Sequence, residues 1–137
     1  MAVKASLTCC TFLVCLCAGI AAAQDDALTP GQEAEIRGIA DGINGTCAMP
    51  MRPVIPDGST ASQQEMMTAQ TALKSYIDAG NAYLGCLQEV ETGWGAEATI
   101  NQVAVLNYLY NGIVEDLQDR AEAFNTALNV FRSRAED

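Results

Sequence analysis

Proline is confined to the first part of the chain. Pro30, Pro50, Pro53 and Pro56 are the four prolines, and none follows Pro56. Each ring fixes φ and removes a backbone donor, so residues 46–59 (TCAMPMRPVIPDGS) cannot be helical. Pro50, Pro53 and Pro56 recur every third residue, which is the period of polyproline II, so their rings share one side of an extended strand. Asp57-Gly58 ends that strand as a turn. Beyond it the chain is free to build long helices.

Three helices are predicted. Thr29-Pro30 supplies an N-cap followed by proline at the first helical position, and Glu33 and Glu35 suit the positive end of the helix dipole. Ile36, Ile39, Ala40 and Ile43 form one apolar stripe, so the first helix covers 30–43 and stops at Asn44-Gly45. Ser59 or Thr60 caps a second helix over 61–91, with Gln63 at the capping-box position of Thr60. It ends at Thr92-Gly93-Trp94-Gly95. A third helix covers 96–134, with Arg132 and Arg134 in its last turn.

The third helix carries the strongest periodicity. Ile100, Val103, Asn107, Tyr110, Val114, Leu117, Ala121, Phe124, Leu128 and Phe131 follow a 3-4 spacing without a break, a heptad seam in which Asn107 is the one polar member. Leu106, Leu109 and Ile113 widen its first half and predict a second neighbour, the first helix. The second helix shows two adjacent stripes. Met66, Leu73, Ile77, Gly80, Leu84 and Leu87 are assigned to the third helix. Ala69, Ala72, Tyr76, Ala79, Tyr83, Cys86 and Val90 leave a groove for a thin partner.

Residues 1–23 read as a secretory signal. Lys4 precedes an apolar run from Leu7 to Ile20, and Ala21-Ala22-Ala23 places a peptidase site before Gln24. The run falls short of the roughly 20 residues that span a bilayer, so no membrane insertion is expected after cleavage. The mature chain, 24–137, forms a single domain. Cleavage removes Cys9, Cys10, Cys15 and Cys17 and leaves Cys47 and Cys86, most simply one disulfide in an oxidising periplasmic or extracellular space.

A length argument joins these parts. Cys47 to Thr60 spans roughly 40 Å as polyproline II, and Thr60 to Cys86 spans roughly 39 Å as helix. An extended strand laid antiparallel on the second helix therefore brings the two cysteines together and sets Pro50, Pro53 and Pro56 against Tyr76 and Tyr83. Such packing resembles that of the pancreatic-polypeptide fold, in geometry and not in function. The expected architecture is all-α, an elongated hairpin of helices 61–91 and 96–134 with a short N-terminal helix and a disulfide-stapled proline segment.

Charge and composition narrow the function. The chain holds 17 acidic and 7 basic residues, a net charge of −10, and no histidine. The absence of histidine excludes Ser-His-Asp and Cys-His sets and histidine zinc sites. The acidity argues against nucleic acid and anionic lipid as partners, since both need a basic patch. Glu115, Asp116, Asp119 and Glu122 read as a solvated helix face rather than a catalytic carboxylate pair. Met49 and Met51, with Cys47, Met66 and Met67, offer a soft thioether set for copper as an alternative reading. Trp94, Asn107, Leu128 and Phe131 are the interaction candidates. Trp94 caps the hairpin end or anchors a partner, and Leu128 and Phe131 run past the end of the second helix. No catalytic residue and no cofactor is assigned. Asn44-Gly45-Thr46 is a formal glycosylation sequon.

The segments C47-AMPMRP-V-IPDG58, E65-MM-TAQTALKSYI77 and Y83-LGC86-L resemble a loose group of small secreted proteobacterial proteins of unknown function. Their pattern is a Cys/Pro-x-x-Pro/PDG segment before a long helix with Tyr-x-x-Cys-Leu. The resemblance covers about residues 47–87 and implies an exported bacterial protein. The sequence as a whole predicts a non-catalytic protein that works by binding another protein or a second copy of itself.

Overall fold

A computed structural model describes residues 28–136. The signal expected at 1–23 lies outside them. Thr29 opens the first helix, α1 (Pro30–Thr46), through a capping box: its hydroxyl accepts from the Gln32 amide while the Gln32 side chain accepts from the Thr29 amide. The helix passes through Asn44-Gly45, where the sequence predicts a stop. Neither residue leaves the helical region, and the amide of Cys47 closes the last turn on the Ile43 carbonyl at 2.7 Å.

The second helix, α2 (Gln63–Trp94), starts later than the sequence suggests. Ser59 and Thr60 are engaged elsewhere. The Asp57 carboxylate accepts from the Ser59 amide and hydroxyl, both at 2.8 Å, and the Asp57 carbonyl accepts from the amides of Thr60 and Ala61. Capping falls to Ser62, which makes a reciprocal box with Glu65. These bonds hold the Asp57 and Glu65 carboxyls below their ordinary values, because each accepts from a backbone amide and a hydroxyl. At the other end α2 runs on to Trp94 and stops at Gly95, whose φ of 56° favours glycine.

A 3₁₀ turn (Gly95–Glu97) then delays the third helix, α3 (Ile100–Glu136). Thr99 and Gln102 bond each other's amides at its start. The sequence predicts a helix from residue 96. The threonine cap and the glycine before it explain the later start. Among the described residues the fold is all-α, with no strand, and Cys47 is bonded to Cys86 across a sequence separation of 39.

The core corrects the stripe assignments. The buried residues of α2 are Met66, Ala69, Leu73, Tyr76, Gly80, Tyr83 and Leu87, one 3-4 series drawn from both predicted stripes. Ala72 and Ala79 are exposed. The third helix lies over the boundary between the two stripes because Gly80 lets it approach. A Cβ on Gly80 would stand 2.7 Å from a Leu117 methyl. Contacts pair Tyr76 with Asp116, Gly80 with Leu117 and Ala61 with Arg134, so α3 runs antiparallel to α2 along this stretch.

The heptad seam of α3 divides. From Tyr110 onward its members are buried or half-buried. Before that, Val105 and Leu106 carry the burial, while Ile100 is 88% exposed, Val103 is 45% exposed and Asn107 faces solvent. α1 packs against α3 as well as α2 and draws the first turns of α3 onto a different face. The segment 47–62 contains no regular element. Pro53 and Gly58 within it are buried.

Candidate functional site

Asp116 ties three parts of the fold together. It sits on α3, three residues after the buried Ile113 and next to Leu117, so its side chain is turned inward and is only 16% exposed. The Tyr76 hydroxyl, from the buried stripe of α2, donates to it. Arg52, from the proline segment, donates through Nε at 3.2 Å and pairs through Nη2. Arg120 lies one turn further along α3 with its Nε 4.0 Å from the same carboxylate, buried and without a hydrogen-bond partner. With the Arg52 side chain 60% exposed, the ion pair fixes position more than it adds stability.

A cleft of about 590 Å³ opens beside this latch, lined by Met49, Pro50, Tyr76, Tyr83, Tyr108 and Asn111 among others. Tyr83 is 2% exposed and its hydroxyl reaches Asn44 of α1 at 3.4 Å. Both buried tyrosines hold their protons more tightly than an exposed phenol. Burial is the main cause in each, and the hydrogen bond to Asp116 adds to it for Tyr76. A phenol whose folded pKa is raised contributes stability that is complete below the unfolded value of 10.0 and is lost as pH rises through the folded value. Unfolding free energy should therefore be level across neutral pH and fall as the pH rises from about 10.0 through the folded value. Denaturant titrations followed by circular dichroism, on the native chain and on Tyr83→Phe, test this. The variant should show a shallower alkaline fall, and an identical fall would contradict the assignment.

The predicted residues separate into groups. Pro50 shares the cleft with Tyr76 and Tyr83. Residues 52–58 border Asp119 to Val130 of α3 on one side, while Val54 and Pro56 border Ala69 and Ala72 of α2 on the other. The segment thus meets two helices, where the sequence placed it on one. Trp94 is half-buried beside Gly38, Gly42 and Ile43 of α1. Leu128 and Phe131 are half-buried and packed on the core, so they are not the bare apolar end expected of them. The turn at 57–61 reaches that end of α3, and Arg134, stacked 5.2 Å from the Phe131 ring, donates to the carbonyls of Ser59 and Ala61, both at 2.6 Å.

The thioether set is dispersed in environment. Met66 lies in the core, Met49, Met51 and Met67 are exposed, and the Cys47 sulfur is bonded to Cys86. Among the described residues no group of three or more Cys, Asp or Glu side chains is placed to hold a metal ion. Of the acidic run, Glu115, Asp119 and Glu122 are exposed, and Asp116 alone turns in. Its lone pairs are taken by Tyr76 and Arg52.

The exposed face at the start of α3 is the feature that sequence reasoning missed. Ile100, Val103, Ala104, Asn107, Tyr108 and Asn111 all face solvent, and Tyr108 is 78% exposed. They lie within residues 98–114, a run without a charged side chain in a chain of net charge −10. The missed signal is that run itself, bracketed by Glu97 and Glu115. No helix among the described residues is long and apolar enough to cross a membrane. No protein-family model, no curated protein and no solved structure matches the chain.

Proposed function

We propose that this is a non-catalytic binding protein of the periplasmic or extracellular space, acting through a helical face. In this reading α2 and α3 form an elongated hairpin, the proline segment is its strap, and the Cys47–Cys86 bond anchors the strap. The reading rests on the uncharged face of α3. Large apolar side chains standing singly on a surface are ordinary, but Ile100, Val103 and Tyr108 lie together on successive turns of one helix. Aromatic and branched apolar residues free of like charge are what a protein interface places at its centre. The disulfide and the signal-like first 23 residues support an oxidising compartment.

Site-directed photo-crosslinking in the producing cell tests the reading. A crosslinker at position 108 should trap a discrete protein adduct, and one at Asp78 on α2 should not. No adduct from position 108, or the same adducts from both positions, would overturn it. The mass of the exported protein, expected to begin at Gln24, checks the compartment separately.

A further inference from the structure

We infer that Met49, Met51 and Met67 are reversible oxidation sites, where the protein takes up oxygen from peroxides and keeps its fold. The inference is independent of the binding reading above. Methionine is among the side chains most often fully buried. Of the four methionines among the described residues, three depart from that rule: Met51 is 91% exposed, Met49 60% and Met67 54%. Met66, the neighbour of Met67 on α2, is 4% exposed and lies in the core. The chain thus carries three open thioethers and a closed one beside them as an internal control.

The other side chains leave these sulfurs as the groups that a peroxide meets. The chain has no histidine. Cys47 and Cys86 are joined, so no thiol is free among the described residues. Trp94, the single tryptophan, is half-buried. Exposed phenols and amines such as Tyr108 and Lys74 react with peroxide far more slowly than a thioether does. A sulfur lone pair attacks one oxygen of hydrogen peroxide, the O–O bond breaks as the S–O bond forms, and the other oxygen leaves as water with both hydrogens. Sulfur gives up two electrons, the peroxide takes them, and the product is methionine sulfoxide. A thiol-dependent sulfoxide reductase reverses the change: two thiols become a disulfide and the added oxygen leaves as water.

The placement of the three sites lets the fold survive the modification. A sulfoxide is polar and disrupts a core, but Met49, Met51 and Met67 stand outside the buried series. The proline segment that carries Met49 and Met51 is held by groups that peroxide leaves alone. These are the disulfide at Cys47, the Arg52–Asp116 pair, and the turn at Gly58, with Arg134 bonded to the Ser59 and Ala61 carbonyls. At Met66 the same change would set a polar oxygen among buried apolar side chains and cost stability.

Titration of the purified, disulfide-intact protein with hydrogen peroxide, read by peptide mass mapping, tests the inference. Met51 should be oxidised first, followed by Met49 and Met67, each at least about tenfold faster than Met66. Protein carrying all three oxygens should melt with the native chain by circular dichroism. Methionine sulfoxide reductases of both epimer specificities should return it to the native mass. A variant with Met49→Leu, Met51→Leu and Met67→Leu should fold as the native chain does and take up no oxygen over the same dose. Protein recovered from peroxide-treated producing cells should carry sulfoxide at Met51 and none at Met66. Oxidation of Met66 that keeps pace with Met67, or oxidation that begins at another type of side chain, overturns the inference. So does a lower melting temperature after the first three oxygens, a sulfoxide that the reductases leave in place, or unmodified Met51 from the treated cells.

Discussion

Gly58→Ala is expected to destabilise the protein by roughly 3 kcal/mol or more. An added Cβ would overlap the Ala127 carbonyl oxygen and stand 2.8 Å from its carbon and 3.0 Å from the Phe131 amide nitrogen. All three are backbone atoms in the interior of α3, held by its hydrogen-bond ladder, so none can yield locally. The methyl has to push the 57–61 turn off the helix. That movement would also strain the two bonds from Arg134 to Ser59 and Ala61. Glycine is needed here for proximity. Gly95 makes the contrasting case. Its φ of 56° and ψ of −139° mirror the extended region and suit glycine alone, and a methyl there would have no neighbour within 4 Å, so Gly95→Ala should cost about 1–3 kcal/mol from the backbone alone. Urea unfolding of the two variants separates the mechanisms. If Gly58→Ala unfolds within 0.5 kcal/mol of the native chain, about the scatter of ordinary surface changes, the turn does not rest on α3 as described.

How far the fold could be read from sequence depends on whether the signal is local. Prolines, caps and the 3-4 spacing act within one helix turn, and they placed three helices with errors of a few residues. The errors have local causes too. Asp57 captured Ser59 and Thr60, and Thr99 offered a better cap than anything near Ala96. The surviving pair of cysteines was legible once the first 23 residues were set aside. The face each helix turns inward was not legible to the same degree, because that is settled between elements. By spacing and side-chain size the aliphatic stripe of α2 is assigned to the third helix, and only the approach of α3 over Gly80 selects the mixed stripe instead. The same holds for Asp116. In the sequence it is one of four acids in a run, and nothing near it announces that Arg52, 64 residues away, and Tyr76 converge on it. Ile100 and Val103 fit the seam by spacing and leave it because α1 packs against the first turns of α3, which bury Val105 and Leu106 instead.

Removing the Cys47–Cys86 bond should have an effect of similar size and a different distribution. Closing a loop of sequence separation 39 restricts the unfolded chain by about 4 kcal/mol in the chain-entropy account, so Cys47→Ser with Cys86→Ser should lower stability by roughly that amount. The loss should not be uniform along the chain. α1 carries four glycines, each lowering helix propensity by about 1 kcal/mol relative to alanine, and Ile43 is its one fully buried side chain. The helix is thus held mainly by its packing on α3 and by the covalent link that begins at its last turn. α2 and α3 share a far longer buried face, from Met66 to Leu87 on one helix and from Leu106 to Ala127 on the other. In the double-serine variant α1 should therefore open first, and its amides should exchange much faster than those of α2 and α3. Hydrogen exchange read by mass spectrometry resolves the three helices. Equal protection of α1 and α2 in that variant would mean that packing alone seats the first helix, and the anchoring role given to the disulfide would then have to be withdrawn.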